Sequence, residues 1–379
     1  MYMRGGTSKG PFFNQADLPS DKATRDRVLL SIMGSPDKRQ IDGLGGAHPL
    51  TSKVGMVRPS TTPGVDLDFL FAQLQPDKDT VDTTPNCGNM LAAVVPFAIS
   101  SGMVHATADS TTLRVLTLNT DMQCDITVQT PLGSDGQRFV ADTGDARIDG
   151  APGTSAPITI NFLDTAGSVC SGLLPTGQVK DRVRVVPTDK LQGFEPFDID
   201  VTCIDNGMPL VLFKASDIGR TGYESVDALN ADAELKIRIE ALRLQVSVLM
   251  GLGDVSDKNY PKMTLIAPPV HGGALTTRSF IPHVCHDAIG VLAAVTVGTA
   301  CVLQGSVCEG MAVMQPGEHQ ALSVEHPTGE FSVALQTRSV SELPGGHEVT
   351  QAALLRTARL IMRGEAMVPA HIWNSGDTP

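Results

Sequence analysis

At 379 residues, 41% of them hydrophobic, the chain is too long for one ordinary core and suits two domains. A formal charge of −12, from 29 basic against 41 acidic residues, argues against nucleic acid or an anionic membrane as partner, and 4% aromatics leave no stacking platform for bases. Seven widely spaced cysteines form no CxxC pair or Cys/His cluster, so no metal site is expected; with no basic-then-apolar leader in the sequence, free thiols point to a reducing cytoplasm.

Residues 3–13 read as a strand interrupted by the loop Arg4-Gly5-Gly6-Thr7-Ser8-Lys9-Gly10. That loop suits carboxylate or phosphate binding, although its order is not that of a GxxxxGK[ST] phosphate loop, and a plain turn with a solvated face explains it equally well. Residues 20–33 read as a helix capped by Ser20 or Asp21, with Val28, Leu29 and Ile32 on its apolar face. Strands are expected over 50–57 and 65–73, a helix over 86–101, and a paired β segment over 112–118 and 124–129.

The second half repeats this order. Residues 197–213 read as strand, turn and strand around Asp205-Asn206-Gly207-Met208-Pro209. A largely helical stretch over 226–250 precedes a strand over 262–267, a helix over 285–303 and an antiparallel pair over 322–326 and 330–336. A last helix is expected over 352–364, ended by Gly364. The apolar run 288–303 is shorter than a membrane span. Two duplicated α+β domains are therefore expected, 1–185 carrying Lys53 and Cys87, and 186–379 carrying Lys262 and Cys285.

Each half places a lysine on a strand and a cysteine at a helix start. In Asn86-Cys87-Gly88-Asn89, Asn86 can cap the helix, free first-turn N–H groups attract anions and favour a thiolate, and Gly88 admits close approach to the backbone. The alternative is a buried structural cysteine beside a cap. Lys53, in Thr51-Ser52-Lys53-Val54, becomes a base if an apolar wall strips its proton, and is otherwise an edge-strand lysine facing water. Arg278, His283, Cys285 and His286 crowd the second helix start, where His286 donates to a carboxylate, keeps a thiol ionised or merely caps. No GxSxG or Cys-protease signature supports a hydrolase.

The segments 3–10, 33–37, 39–46, 51–54, 86–89 and 205–209 resemble the PrpF family, whose members isomerise methylaconitate and oxalomesaconate and share the diaminopimelate epimerase fold. The resemblance runs over nearly the whole chain. It implies two epimerase-like domains, each a curved, mostly antiparallel sheet around a central helix, with substrate between them and no cofactor. Lys53 matches the family's catalytic lysine and Cys87 its cysteine at the first helix start. Cys285 departs from the second epimerase cysteine motif, with His286 following. The stretch 280–286 looks most like the oxalomesaconate branch, which acts in the breakdown of aromatic compounds.

The function expected is an allylic 1,3-proton shift or keto–enol tautomerisation on a small unsaturated di- or tricarboxylate, oxalomesaconate first. Alternatives are 2-methylaconitate, aconitate or 3-methylitaconate isomerisation and, from another class, a non-catalytic carboxylate-binding accessory protein. Lys53 and Cys87 are the catalytic candidates. Candidates for holding substrate are Arg4, Thr7, Ser8, Ser52, Asn86, Gly88, Asn89, Met208, Lys262, Arg278, Cys285 and His286. A homodimer is the assembly considered.

Overall fold

The 37 glycines and 25 prolines of the chain punctuate many short strands. The computed structural model describes residues 1–163 and 165–374. It divides into two compact units, the first formed by residues 1–163 and the chain from 355 onward, the second ending at residue 354.

In the first unit β1 (Tyr2–Gly5) and β2 (Ser8–Asn14) form a hairpin. Its two-residue turn opens with Gly6 at φ +53°, a conformation that glycine adopts without steric cost. Helix α1 (Lys22–Met33) starts at Asp21, whose carboxylate accepts the Thr24 N–H at 2.8 Å. It stops at Gly34, whose left-handed backbone returns its N–H to the carbonyls of Leu30 and Ser31. Next come β3 (Lys53–Pro59), β4 (Leu67–Leu74), β5 (Val81–Asp82), α2 (Gly88–Leu91), α3 (Val94–Ser100), β6 (Ser110–Thr117), β7 (Met122–Gln129) and β8 (Ile158–Phe162).

The single helix expected over 86–101 is thus two short ones. Pro96 lies in the first turn of α3 and has no N–H to return to Ala92, which breaks the ladder there. Phe97 of α3 packs on the Phe12 ring, centroids 5.9 Å apart, and Phe12 stacks on Phe69 at 6.4 Å. Val28, Leu29 and Met33 of α1 close a second cluster against Val54, Met56 and Leu74.

The second unit contains β9 (Asp181–Val185), β10 (Phe197–Asp205), β11 (Pro209–Lys214), α4 (Val226–Ala231), α5 (Ala233–Leu249), β12 (Lys262–Ala267), β13 (Leu275–Phe280), α6 (Val291–Val302), β14 (His319–His326), β15 (Gly329–Ser339) and β16 (His347–Arg356). Starting from β10 and β11, the strands pair antiparallel, parallel, antiparallel, parallel, antiparallel and antiparallel. Starting from β1 and β2, the first unit shows the same succession, with β4 passing to β6. The duplication is therefore visible in hydrogen bonding, and Lys53 and Lys262 open equivalent strands, β3 and β12. α6 packs against β10, β11, β14 and β15 as α3 packs against its own sheet.

Three expectations differ from the structure. The boundary near 185 does not separate the units, because β9 pairs with β10 and belongs to the second. The helix over 352–364 is instead the end of β16 and β17 (Ala358–Met362), which pairs antiparallel with β1 and returns the chain to the first unit. Pairing with β15 and β1 overrides the helical spacing of that apolar stretch. Lastly, α6 begins at Val291 with Gly290 as its cap, so Cys285 does not open it. Among the described residues, no helix is long and apolar enough to cross a membrane.

Candidate active site

The first-unit site is assembled around the glycines of the β1–β2 hairpin. A methyl group on Gly10 would lie 1.8 Å from the carbonyl oxygen of Lys53, and one on Gly5 would lie 2.4 Å from that of Asn89. Both approaches are closed to any side chain, so the hairpin can touch the lysine strand and the Cys87 helix only because these residues are glycines. At the turn, Asn89 donates its side-chain N–H to the Thr7 hydroxyl at 2.9 Å. The expected anion-binding loop is thus a hairpin turn docked on α2.

Lys53 is 7% exposed. Its Nζ lies 5.0 Å from the centroid of the Phe71 ring and donates to the Oε1 of Gln73. Gln73 is the direct cross-strand partner of Lys53 in the β3–β4 ladder, which brings the two side chains to one face. Among the described residues the amine has no carboxylate partner. Ser52 is fully buried, and its hydroxyl bonds Gln40 Oε1 at 2.8 Å and the His48 carbonyl at 2.9 Å. It therefore fastens the approach to β3. Gln40 carries a positive φ of 47°, unusual for a residue with a side chain, and also accepts the Ala47 N–H at 2.8 Å.

Cys87 is the partly exposed N-cap residue of α2. Asn86 does not cap the helix as expected. It is exposed, and its amide donates to Thr120 and, at 3.3 Å, to Thr117. Asn119 anchors the segment before Cys87: its amide donates to Phe71 O at 2.8 Å and Thr83 O at 2.6 Å. Gly88 lies partly exposed at the start of α2.

Arg4 is turned into the protein, donating to Gly6 O at 2.8 Å and to the Thr357 hydroxyl at 2.9 Å. Burial and the nearby charge of Arg359 lower its pKa. It clamps β1 to β17 instead of offering a free guanidinium. Ser8 is 1% exposed, and its hydroxyl has no hydrogen-bond partner among the described residues.

The second unit places the expected residues differently. Lys262 is partly buried, and burial lowers its pKa. A methyl on Gly290, the cap of α6, would sit 3.5 Å from its Nζ. In this half the lysine amine thus lies beside the start of α6, where the cap is a glycine. Arg278 is 8% exposed, with Nε donating to Glu224 O and Nη1 to Thr277 O, each at 2.9 Å. Its pKa is lowered by burial, against which Cys285, Glu224 and Glu325 act. Cys285 is 2% exposed within the unit's own core, where burial pushes its thiol up to about 11. His286 is exposed, with Nδ1 accepting the Ala288 N–H at 3.0 Å. Met208 presents its carbonyl to the Thr296 hydroxyl at 3.3 Å. Among the described residues, no group of three or more His, Cys, Asp or Glu is placed to hold a metal.

Sequence reasoning missed Gln73, Gln40, Asn119 and Asn230. Asn230 Oδ1 accepts the Cys285 N–H at 2.7 Å. The one available signal was register, since Gln73 faces Lys53 once the two strands are paired.

A model of the PrpF family, described as PrpF protein, matches residues 1–369. The chain belongs to the PrpF family. It is 52% identical over 368 residues to a protein named (4E)-oxalomesaconate Delta-isomerase from Novosphingobium sp., covering 97% of this chain and 96% of that one. It is 48% identical over 374 residues to a 4-oxalomesaconate tautomerase from Pseudomonas putida, covering 98% and 96%. A crystal structure of methylitaconate-delta-isomerase shares 35% identity with a TM-score of 0.77, covering 96% of this chain and 93% of the other. The fold is the two-unit α+β arrangement expected for this family.

The burial of Cys285 gives a first expected result. A thiol held near 11 is ionised on the order of one part in ten thousand at pH 7. Iodoacetamide should therefore modify Cys87 well before Cys285, and Cys285→Ala should keep kcat within about threefold. Mass spectrometry of tryptic peptides and steady-state rates check the two statements.

Proposed function

We propose that the protein is an isomerase that moves a proton along an unsaturated tricarboxylate by a 1,3-allylic shift or tautomerisation, with oxalomesaconate as the leading substrate. The observation that carries this reading is the buried Lys53 amine, bounded by an amide oxygen and an aromatic ring with no carboxylate partner among the described residues. Such an amine is poised to exchange protons with a substrate instead of resting in an ion pair. The names of the two oxalomesaconate relatives support the substrate choice.

In the proposed reaction Lys53, uncharged, removes a proton from carbon beside a carbonyl or carboxylate. The electron pair spreads into a dienolate. First-turn N–H groups after Cys87 stabilise the negative oxygen, and the Cys87 thiol or the protonated Lys53 delivers a proton to the far carbon. The expected contribution of Cys285 to this charge is withdrawn, because that residue does not open α6. The Ser8 hydroxyl, which lacks a partner among the described residues, is assigned to a substrate oxygen. Thr7, Gly88 and Asn89 are proposed to receive its carboxylates from the hairpin side.

Oxalomesaconate, 2-methylaconitate, aconitate and methylitaconate, compared by kcat/KM, test the assignment. Oxalomesaconate should lead by at least tenfold, and methylitaconate in that place would move the protein to the other branch. Proton NMR in D2O tests catalysis itself: a protein that only binds carboxylates shifts lines and exchanges nothing. Cys87→Ser should slow turnover less than loss of Lys53 if the thiol mainly positions the intermediate, and an equal or greater loss in single-turnover rates would make it an obligatory acid.

A further inference from the structure

We infer that Gln73 is a positioning residue that aims the Lys53 amine, an inference that rests on Lys53 being the base. The orientation of the Gln73 amide is fixed by its own partners. Its Nε2 donates toward three backbone carbonyls, Leu74 O at 2.9 Å, Pro49 O at 3.1 Å and Ser52 O at 3.2 Å. Three acceptors on that side admit only the NH2 group, so the oxygen must be the atom that faces Lys53 Nζ. Two of these carbonyls precede the lysine in the chain, Pro49 on the turn before β3 and Ser52 next to Lys53. The amide is thus braced by the same backbone that carries the amine.

An amide oxygen suits this position better than a carboxylate. It accepts one N–H from the amine in either protonation state, which leaves the nitrogen lone pair of the neutral form directed away from Gln73. It carries no net charge that would hold the proton in an ion pair. Phe71, two residues earlier on β4, places its ring 5.0 Å from the same nitrogen and removes another direction. Side chain and ring together leave the amine few orientations, and small displacements of a reacting group are costly.

The titratable groups on the elements around β3 include Lys9 on β2, Asp17 after β2, His48 before β3, Arg58 on β3 paired with Asp68 on β4, Asp82 across from Gln73 on β5, and Cys87. Lys9 lies over the Tyr2 ring, His48 Nδ1 accepts the Leu50 N–H, and Asp82 is engaged by Thr84. Among the described residues none of these is hydrogen-bonded to the amine, so position 73 supplies its side-chain hydrogen-bond partner.

Gln73→Met keeps length and removes the acceptor, while Gln73→Glu replaces it with a charge. Gln73→Met should lower kcat by about tenfold to a hundredfold with KM changed less than threefold. Reductive methylation followed peptide by peptide reads the amine without substrate: Lys53 should label about threefold faster in Gln73→Met and more slowly in Gln73→Glu. Unchanged labelling in both variants, or kcat within twofold in Gln73→Met, overturns the inference. Normal deuterium exchange in Lys53→Met instead ends the base assignment, and labelling then judges the hold of Gln73 by itself. If neither variant folds, a crystal structure of the unaltered protein decides, and a Gln73 Oε1 more than 4 Å from Lys53 Nζ (the usual outer limit of a polar contact) refutes it.

Discussion

Lys53→Met should lower kcat by about a thousandfold or more and abolish deuterium incorporation into the substrate, while the fold survives. The side chain is buried against Phe71, so methionine fills most of the space of the lysine stem and leaves little cavity. What disappears is the nitrogen. Gln73 Oε1 then loses its donor, a loss of about 1 kcal/mol or somewhat more that thermal denaturation would resolve. Binding of a substrate analogue should change little, since the amine acts in the proton transfer and the carboxylates are assigned to other groups. Isothermal titration with the analogue and single-turnover NMR in D2O separate binding from chemistry, and persisting exchange would remove Lys53 from the mechanism.

Gly10→Ala should be the most damaging of the conservative changes, destabilising the protein by about 3 kcal/mol or more. The added methyl would lie 1.8 Å from the Lys53 carbonyl oxygen and 2.8 Å from its carbonyl carbon. Neither atom is the end of a flexible side chain, so β2 and β3 must separate. Differential scanning calorimetry should show a Tm lower by about 10 °C. Residual activity should fall as well, because the atoms displaced are the backbone of the proposed base. Gly64→Ala serves as the contrast, since its methyl would meet nothing within 4 Å, although its φ of +78° carries some strain.

Much of the first unit was legible in the chain. The alternation of Leu67, Phe69 and Phe71 marks β4, and Asp21 and Gly34 bound α1 as capping chemistry requires. Lys262 at the head of β12 was equally readable. The errors have a common cause. Residues 352–364 and 285–290 have local patterns compatible with helix, and only partners distant in sequence decide otherwise. Cys285 pairs with Phe280 across a turn and sinks into the core, an outcome fixed by Asn230 and by its apolar neighbours. Arg4 illustrates the same point for a site residue. Its position suggests a ligand for anions, but Thr357, at the far end of the sequence, takes its hydrogen bonds. Gln73 and Asn119 escaped notice because amides carry no motif; the role of Gln73 follows from register, and that of Asn119 from the turn between β6 and β7 that carries it to Phe71 and Thr83.

The return of the chain to its first unit has a consequence for biosynthesis. β1 gains its β17 partner, and Arg4 its acceptor at Thr357, only after more than 350 further residues have been made. Val368, Ile372 and Trp373 then pack against the cluster that contains α1. A ribosome working from the N-terminus therefore releases the strands of the second unit before the unit that carries Lys53 is complete. The half that was translated first is the last to be finished.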